Sequence, residues 1–317
     1  MISKNEVRRV NLHLPRSWNQ CTTEELELIA TGVISQSMTT DCYHPFSWEK
    51  VKVGLILSIN HLVIIGNAEN EKDGYEVRFQ HRQPWYRRII ERIKGEDENK
   101  SFVLSAEHIA GMVPMLNWID DDKASPLTVF PYPTLRIGCR TYEGAPPMLD
   151  GYTWKEYRHL QEWMQLYVHQ SNIAAAHRKR RSQAAALIDD MRNIDMTRSN
   201  FLAVLLRSRD KDGNLLPKPF RNFDAIRWQV ILFWWSGMMH YLQHLYPRCF
   251  KPADKRTRRQ RQPNPLELYT RTTATMEKYV GLNEQEVNNQ SFHVILQHME
   301  DIAKENDEME KMRKKNK

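Results

Sequence analysis

Residues Asp224 to Leu245 form the segment that most restricts the fold, because Trp228, Phe233, Trp234, Trp235, Met238, Met239 and Tyr241 put apolar side chains all round a helix. Such a helix has to be covered on more than one side. It is still no membrane span, since Ser236, Gly237 and His240 interrupt its richest stretch, Val230 to Leu242, and Ser58, Asn60 and His61 interrupt the other, Val53 to Ile65. Neither approaches the roughly 20 apolar residues a bilayer requires. With 317 residues, 41% hydrophobic and 27% charged, the chain has the means to bury a real core.

Local signals divide the chain into parts. Thr22 and Glu25 form a capping box ahead of Leu26, Ile29 and Val33. Ser47 is the expected cap of a second helix carrying Val51, Leu55, Ile59, Leu62 and Val63. After the Asp73-Gly74 turn, Tyr75 to Phe79 alternates as a strand does, and Arg88 to Ile93 and Phe102 to Leu104 are the pieces able to pair with it. Ser105 caps a helix that reaches Trp118, with Pro114 kinking or shortening it. Residues 1–125 therefore read as an α+β part with a short antiparallel sheet. The Pro- and Gly-rich stretch 126–150 reads as a hinge.

Beyond the hinge the pattern is helical, so the predicted fold class is mainly α. A Thr153 and Glu156 capping box opens one helix, Ala174 to Met191 predicts another, Phe201 to Leu206 a short one, and Asp224 to Leu245 the long apolar one. These make a helical body over 151–250. A basic linker, 251–265, leads to a two-helix C-terminal piece, 266–317. There Leu266 to Val280 stops at Gly281, and an Asn283 and Glu286 capping box opens a last helix whose end, Lys304 to Lys317, is expected to fray.

Charge is concentrated. Residues 151–261 hold 21 Lys and Arg against 9 Asp and Glu, a balance of +12 within a chain of net +7. Two runs carry it: Arg178, Lys179, Arg180 and Arg181, and then Arg256, Arg258, Arg259 and Arg261 with Lys255. Such runs neutralise phosphates, which makes nucleic acid one candidate partner and an acidic protein face the other. No aromatic side chains interleave with them, so a stacking platform for single strands is not indicated.

Motifs for chemistry are missing. The four cysteines are widely spaced and read as free thiols of a reducing cytoplasm, and the N-terminus lacks the apolar region of a secretory signal. His240 and His244 stand at i and i+4, but Tyr241 occupies the place of a zincin glutamate. Asp120 to Asp122 lacks the spacing of a calcium loop, and no glycine-rich nucleotide loop or nucleophile elbow occurs. The expectation is a non-enzymatic protein with no metal and no cofactor. Its expected protein-binding residues are Trp234, Trp235, Met238 and Met239 on the long helix, together with the stripe Val287, Val294, Ile295, Met299 and Ile302.

The order of pieces resembles a family. Leu14 to Trp18 (LPRSW) followed by Thr22 to Leu26 (TTEEL), then Tyr142 to Gly144, Gly151 to Tyr157 (GYTWKEY), Trp234 to Gly237 (WWSG) before Tyr246-Pro247, and a closing pair of helices are similar to proteins from the tail-morphogenesis region of tailed phages and prophages. That resemblance implies a tail assembly chaperone acting in the host cell cytoplasm, with a phage tail protein, the tape measure or the tube, as partner. It carries over no catalytic residue. The alternative is a nucleic-acid-binding protein of a phage or other mobile element that uses the basic segment 177–261.

Overall fold

The computed structural model describes residues 12–39, 45–67, 75–79, 101–121, 123–179, 184–250 and 265–315. The protein is mainly α-helical, with one three-stranded and one two-stranded antiparallel sheet. It divides into two compact units, Met1–Pro126 and Leu127–Lys317.

In the first unit, the Thr22 and Glu25 box forms in both directions. The Thr22 amide donates to Glu25 Oε2 at 2.7 Å and the Glu25 amide to Thr22 Oγ1 at 3.2 Å, starting α1 (Thr23–Thr39). Ser47 caps α2 (Trp48–Ile59) by accepting from the Lys50 amide. That helix is shorter than its apolar pattern predicts, because Asn60 leaves helical geometry and His61 takes a positive φ of 51°. Leu62 and Val63 then belong to β1 (Leu62–Asn67), not to the helix. A continuous apolar run fits either structure, and the turn at His61 decides it.

β1 pairs antiparallel with β2 (Tyr75–Phe79), and β2 with β3 (Ser101–Leu104). The predicted partner Arg88 to Ile93 lies outside the described residues, as does the Asp73-Gly74 turn. Leu62, Val77 and Leu104 from the three strands bury against Ile109 of α3 (Ala106–Met112). Ser105 caps α3, and Pro114 ends it: the chain continues to Ile119 as a 3-10 helix. Lys52, 4% exposed, locks this segment to α2 through Asn117 Oδ1 at 2.8 Å and Asp120 Oδ1 at 2.7 Å.

The second unit begins with the stretch expected to be a hinge. Instead it packs. Phe130, Tyr132, Leu135 and Leu149 are buried, and β4 (Thr134–Ile137) and β5 (Arg140–Glu143) form a hairpin turning at Gly138. Apolar side chains spaced between the prolines turn a loop-rich sequence into part of the core.

Next comes α4 (Trp154–Lys179), opened by the reciprocal Thr153 and Glu156 box. α5 (Ala184–Leu205) packs along it. The predicted Ala174 to Met191 helix is thus two helices, the end of α4 and the start of α5, and the predicted short helix at Phe201 is the last turn of α5. Asp224 caps α6 (Ala225–Leu245) through the Arg227 amide.

α7 (Pro265–Val280) stops at Gly281, whose φ of 78° is a left-handed value that glycine adopts without strain. The Asn283 and Glu286 box opens α8 (Glu284–Asn289), but that helix ends after six residues. Gln290 is extended and α9 (Phe292–Lys315) starts afresh. The break has a cause: Ser291 forms a β-bridge with Thr153, with the Trp154 amide donating to Gln290 O at 2.8 Å and the Phe292 amide to Tyr152 O at 3.1 Å. α9 also stays helical to Lys315, where fraying was expected.

Candidate protein-interaction surface

Most of the expected interaction residues are core. Trp234 is wholly buried, donates from Nε1 to Thr128 O at 3.2 Å and meets Phe130 edge-on at 4.9 Å. Trp235 packs edge-on against Phe201 at 5.2 Å, and Met238 is buried. Met239, half-buried, accepts a weak hydrogen bond from the Tyr157 hydroxyl. Val287 and Ile295 are buried, Met299 and Ile302 half-buried, and Val294 alone of that stripe counts as exposed, at 37%. The apolar residues of α6 therefore face their own chain. The all-round pattern signalled burial, and burial is where the structure puts them.

The C-terminal piece is tied to the body in the same way. Phe292 stacks on Tyr157, His293 bridges Tyr246 Oη and Met148 O, and the Glu300 carboxylate accepts from the Arg248 and Cys249 amides and the Arg248 guanidinium. It is continuous with the core of the second unit.

Of the basic residues, Arg178 is exposed near the end of α4, and Lys179 is the last residue of that helix. Arg180, Arg181, Arg256, Arg258, Arg259 and Arg261 lie outside the described residues.

Several potentially reactive groups have structural partners. Burial, with Glu25 beside it, pushes the Cys21 thiol up to about 12, and burial, with Glu300 beside it, does the same to Cys249. Such thiols stay protonated and poorly nucleophilic at neutral pH. Burial raises Tyr152 to about 12 as well; its hydroxyl donates to Leu205 O, and the Arg207 guanidinium sits 4.2 Å above its ring. Arg207 also binds Gly151 O and Glu156, so this polar cluster holds the start of α4 in place. The His240 and His244 rings lie 4.5 Å apart, and His244 Nδ1 meets His240 O at 3.0 Å. Among the described residues no third His, Cys, Asp or Glu joins them to make a metal-binding group. A depression of about 390 Å³ is lined by Lys155, Glu284, Gln285, Asn288 and Asn289. Its lining residues are all polar or charged, whereas small-molecule pockets are lined mostly by hydrophobic and aromatic side chains.

The exposed apolar side chains lie elsewhere. On α5, Ile188, Met191 and Met196 are 65, 63 and 52% exposed, and at about 100° per residue they fall within an outward arc of about 140°, with Ile188 between the two methionines. Its inner side is fixed to α4 by the buried Asp190 carboxylate, 2.7 Å from His177 Nδ1. Sequence reasoning passed over these three residues because α5 is rich in alanine and charge, and only the packing of α4 shows which side faces out.

Comparison with family models, curated proteins and solved structures returns no match for this chain. Among the described residues no helix is long and apolar enough to cross a membrane.

Proposed function

We propose that this chain is a non-enzymatic protein-binding factor of phage tail assembly, acting in the host cytoplasm as a chaperone for the helical tape-measure protein. The observation that supports binding of a helical partner is the outward side of α5, where Ile188, Met191 and Met196 form a flexible apolar row. Methionine adapts to irregular partners, and a helix laid against such a row needs only an apolar stripe of its own. The phage setting rests on the resemblance in the order of sequence pieces, from LPRSW at Leu14 to the closing helices.

The test is co-expression with a helical tape-measure protein of a tailed phage, the client that the proposal names. The client is expected to stay soluble and to co-elute through a high-salt wash, since apolar contacts survive salt. Replacing Ile188, Met191 and Met196 with Ser should remove co-elution while the thermal transition is kept. Absence of co-elution with the wild-type chain overturns the proposal, and so does binding unchanged in the triple variant. Retention on DNA that falls steeply with salt would instead support the nucleic-acid alternative.

A further inference from the structure

The last three turns of α9 leave the body. From Lys304 to Lys315 every side chain is exposed except Asp307, which is half-buried 3.5 Å from Arg248. Glu300 and Asp307 lie about 20° apart around the helix, at about 100° per residue, and both meet Arg248. That is the inner side. Met309 and Met312 fall about 120° to 180° away from it, and they are 50 and 63% exposed. Two large apolar side chains therefore point into solvent, on the side of the helix away from the Arg248 contacts.

After Lys304 the charges along this segment are sorted. Glu305, Asp307, Glu308 and Glu310 come first, and Lys311, Arg313, Lys314 and Lys315 follow without an acidic residue between them. Within one helix this order suits the macrodipole and allows the Glu310 to Lys314 pair at 2.7 Å, whose side chains are 65 and 73% exposed. An exposed pair of that kind contributes little. It also leaves both methionines uncovered.

We propose that the outer side of this helix end pairs antiparallel with the same segment of a second copy of the chain, about a two-fold axis between Glu310 and Lys311. Antiparallel pairing lays the acidic half of one helix beside the basic half of the other, twice over. Met309 of each copy then covers Met312 of the other, Glu308 of each lies on the flank that carries Lys315 of the other, and Glu305, near the middle of the face, comes within reach of Arg313 of the other. A self-complementary patch closes as a dimer and leaves no surface for further growth. Twelve residues span only about 18 Å, so the contact falls at the small end of specific interfaces and the dimer is weak. The Arg248 contacts of Glu300 and Asp307 lie on the far side and are undisturbed.

Sedimentation velocity of the full chain over a range of loading concentrations tests this. A monomer–dimer equilibrium is expected, with the dimer fraction falling as salt rises. Two charge variants separate this surface from any other: Glu305→Lys with Glu308→Lys, and Arg313→Glu with Lys315→Glu. Each alone should associate at least tenfold more weakly than wild type, and an equimolar mixture should recover association because the reversed charges match. Met309→Ser with Met312→Ser should abolish dimerisation, and its tryptophan-fluorescence melting curve should match wild type. A wild-type chain that is monomeric at every concentration overturns the proposal. So do charge variants that dimerise like wild type, or a mixture no better than its separate components.

Discussion

Tyr157 and Phe292 stack with centroids 4.5 Å apart and planes 16° from parallel, joining the first turn of α4 to the first residue of α9. Both rings are almost completely buried, at 1 and 0% exposure. This contact makes the C-terminal piece structural. Phe292→Ala should destabilise the second unit by about 3 to 5 kcal/mol, the usual cost of emptying a buried aromatic site, read from urea unfolding. Ending the chain at Gln262 should give aggregated protein, because it uncovers Tyr157 and the other residues that Val287, Phe292 and Ile295 cover. A truncated chain that stays soluble and folded would refute this account of the core.

Glu300 offers a second test. Only 8% exposed, its carboxylate accepts from two backbone amides and one guanidinium beyond the end of α6. Glu300→Ala leaves those part-buried donors without their acceptor, at an expected cost of about 1 to 3 kcal/mol. Glu300→Gln keeps part of the hydrogen bonding and should fall in between. Chemical denaturation of the two variants beside wild type measures the order.

Thiol labelling followed by peptide mapping should find Cys139, which is exposed, modified quickly, and Cys21 and Cys249 protected until the chain unfolds. The same burial sets an alkaline limit on stability. Folded Cys21 and Cys249 keep their protons to about 12, while unfolded thiols release theirs near 9.0. Below 9 the protonated thiol is common to both states. Between 9 and 12 the unfolded chain gains by ionising and the folded one does not, so stability falls as pH rises through that window. Thermal melts across it should show the decline, and replacing both cysteines with Ala should make it shallower, the part that remains coming from Tyr152 and Tyr157, whose hydroxyls burial also holds protonated.

Two glycines should respond in opposite directions to alanine. A Cβ at Gly237 would stand 2.4 Å from Leu127 O and 2.8 Å from Leu127 N, where backbone has to move. Gly237→Ala is expected to destabilise by about 1 to 3 kcal/mol. At Gly54, exposed within α2, a Cβ meets nothing within 4 Å. Gly54→Ala should stabilise by about 0.5 to 1 kcal/mol. Differential scanning calorimetry distinguishes the two signs.

The helix starts were legible in the sequence because a capping box is a local device: Thr22 with Glu25, Thr153 with Glu156 and Asn283 with Glu286 each form as written. Long-range pairing was not legible. Nothing near Gln290 announces that the chain must extend there, since the reason is Thr153 on another element. The prolines between 126 and 150 suggested a loop, and the burial of Phe130 and Tyr132 depends on Trp234 far along the chain. The candidate surface follows the same rule. Trp234 and Ile188 are both apolar residues on helices, and only the packing of neighbouring helices buries one and exposes the other.

The bridge between Thr153 and Ser291 also carries a consequence for synthesis. On a growing chain the start of α4 has no β partner until Ser291 has been made, and at ordinary elongation rates the wait is roughly ten seconds. Through that interval Tyr157 lacks the ring that covers it. The second unit therefore closes late, and the nascent polypeptide passes through a stage in which aromatic side chains destined for the interior meet solvent, or whatever holdase stands at the ribosome exit.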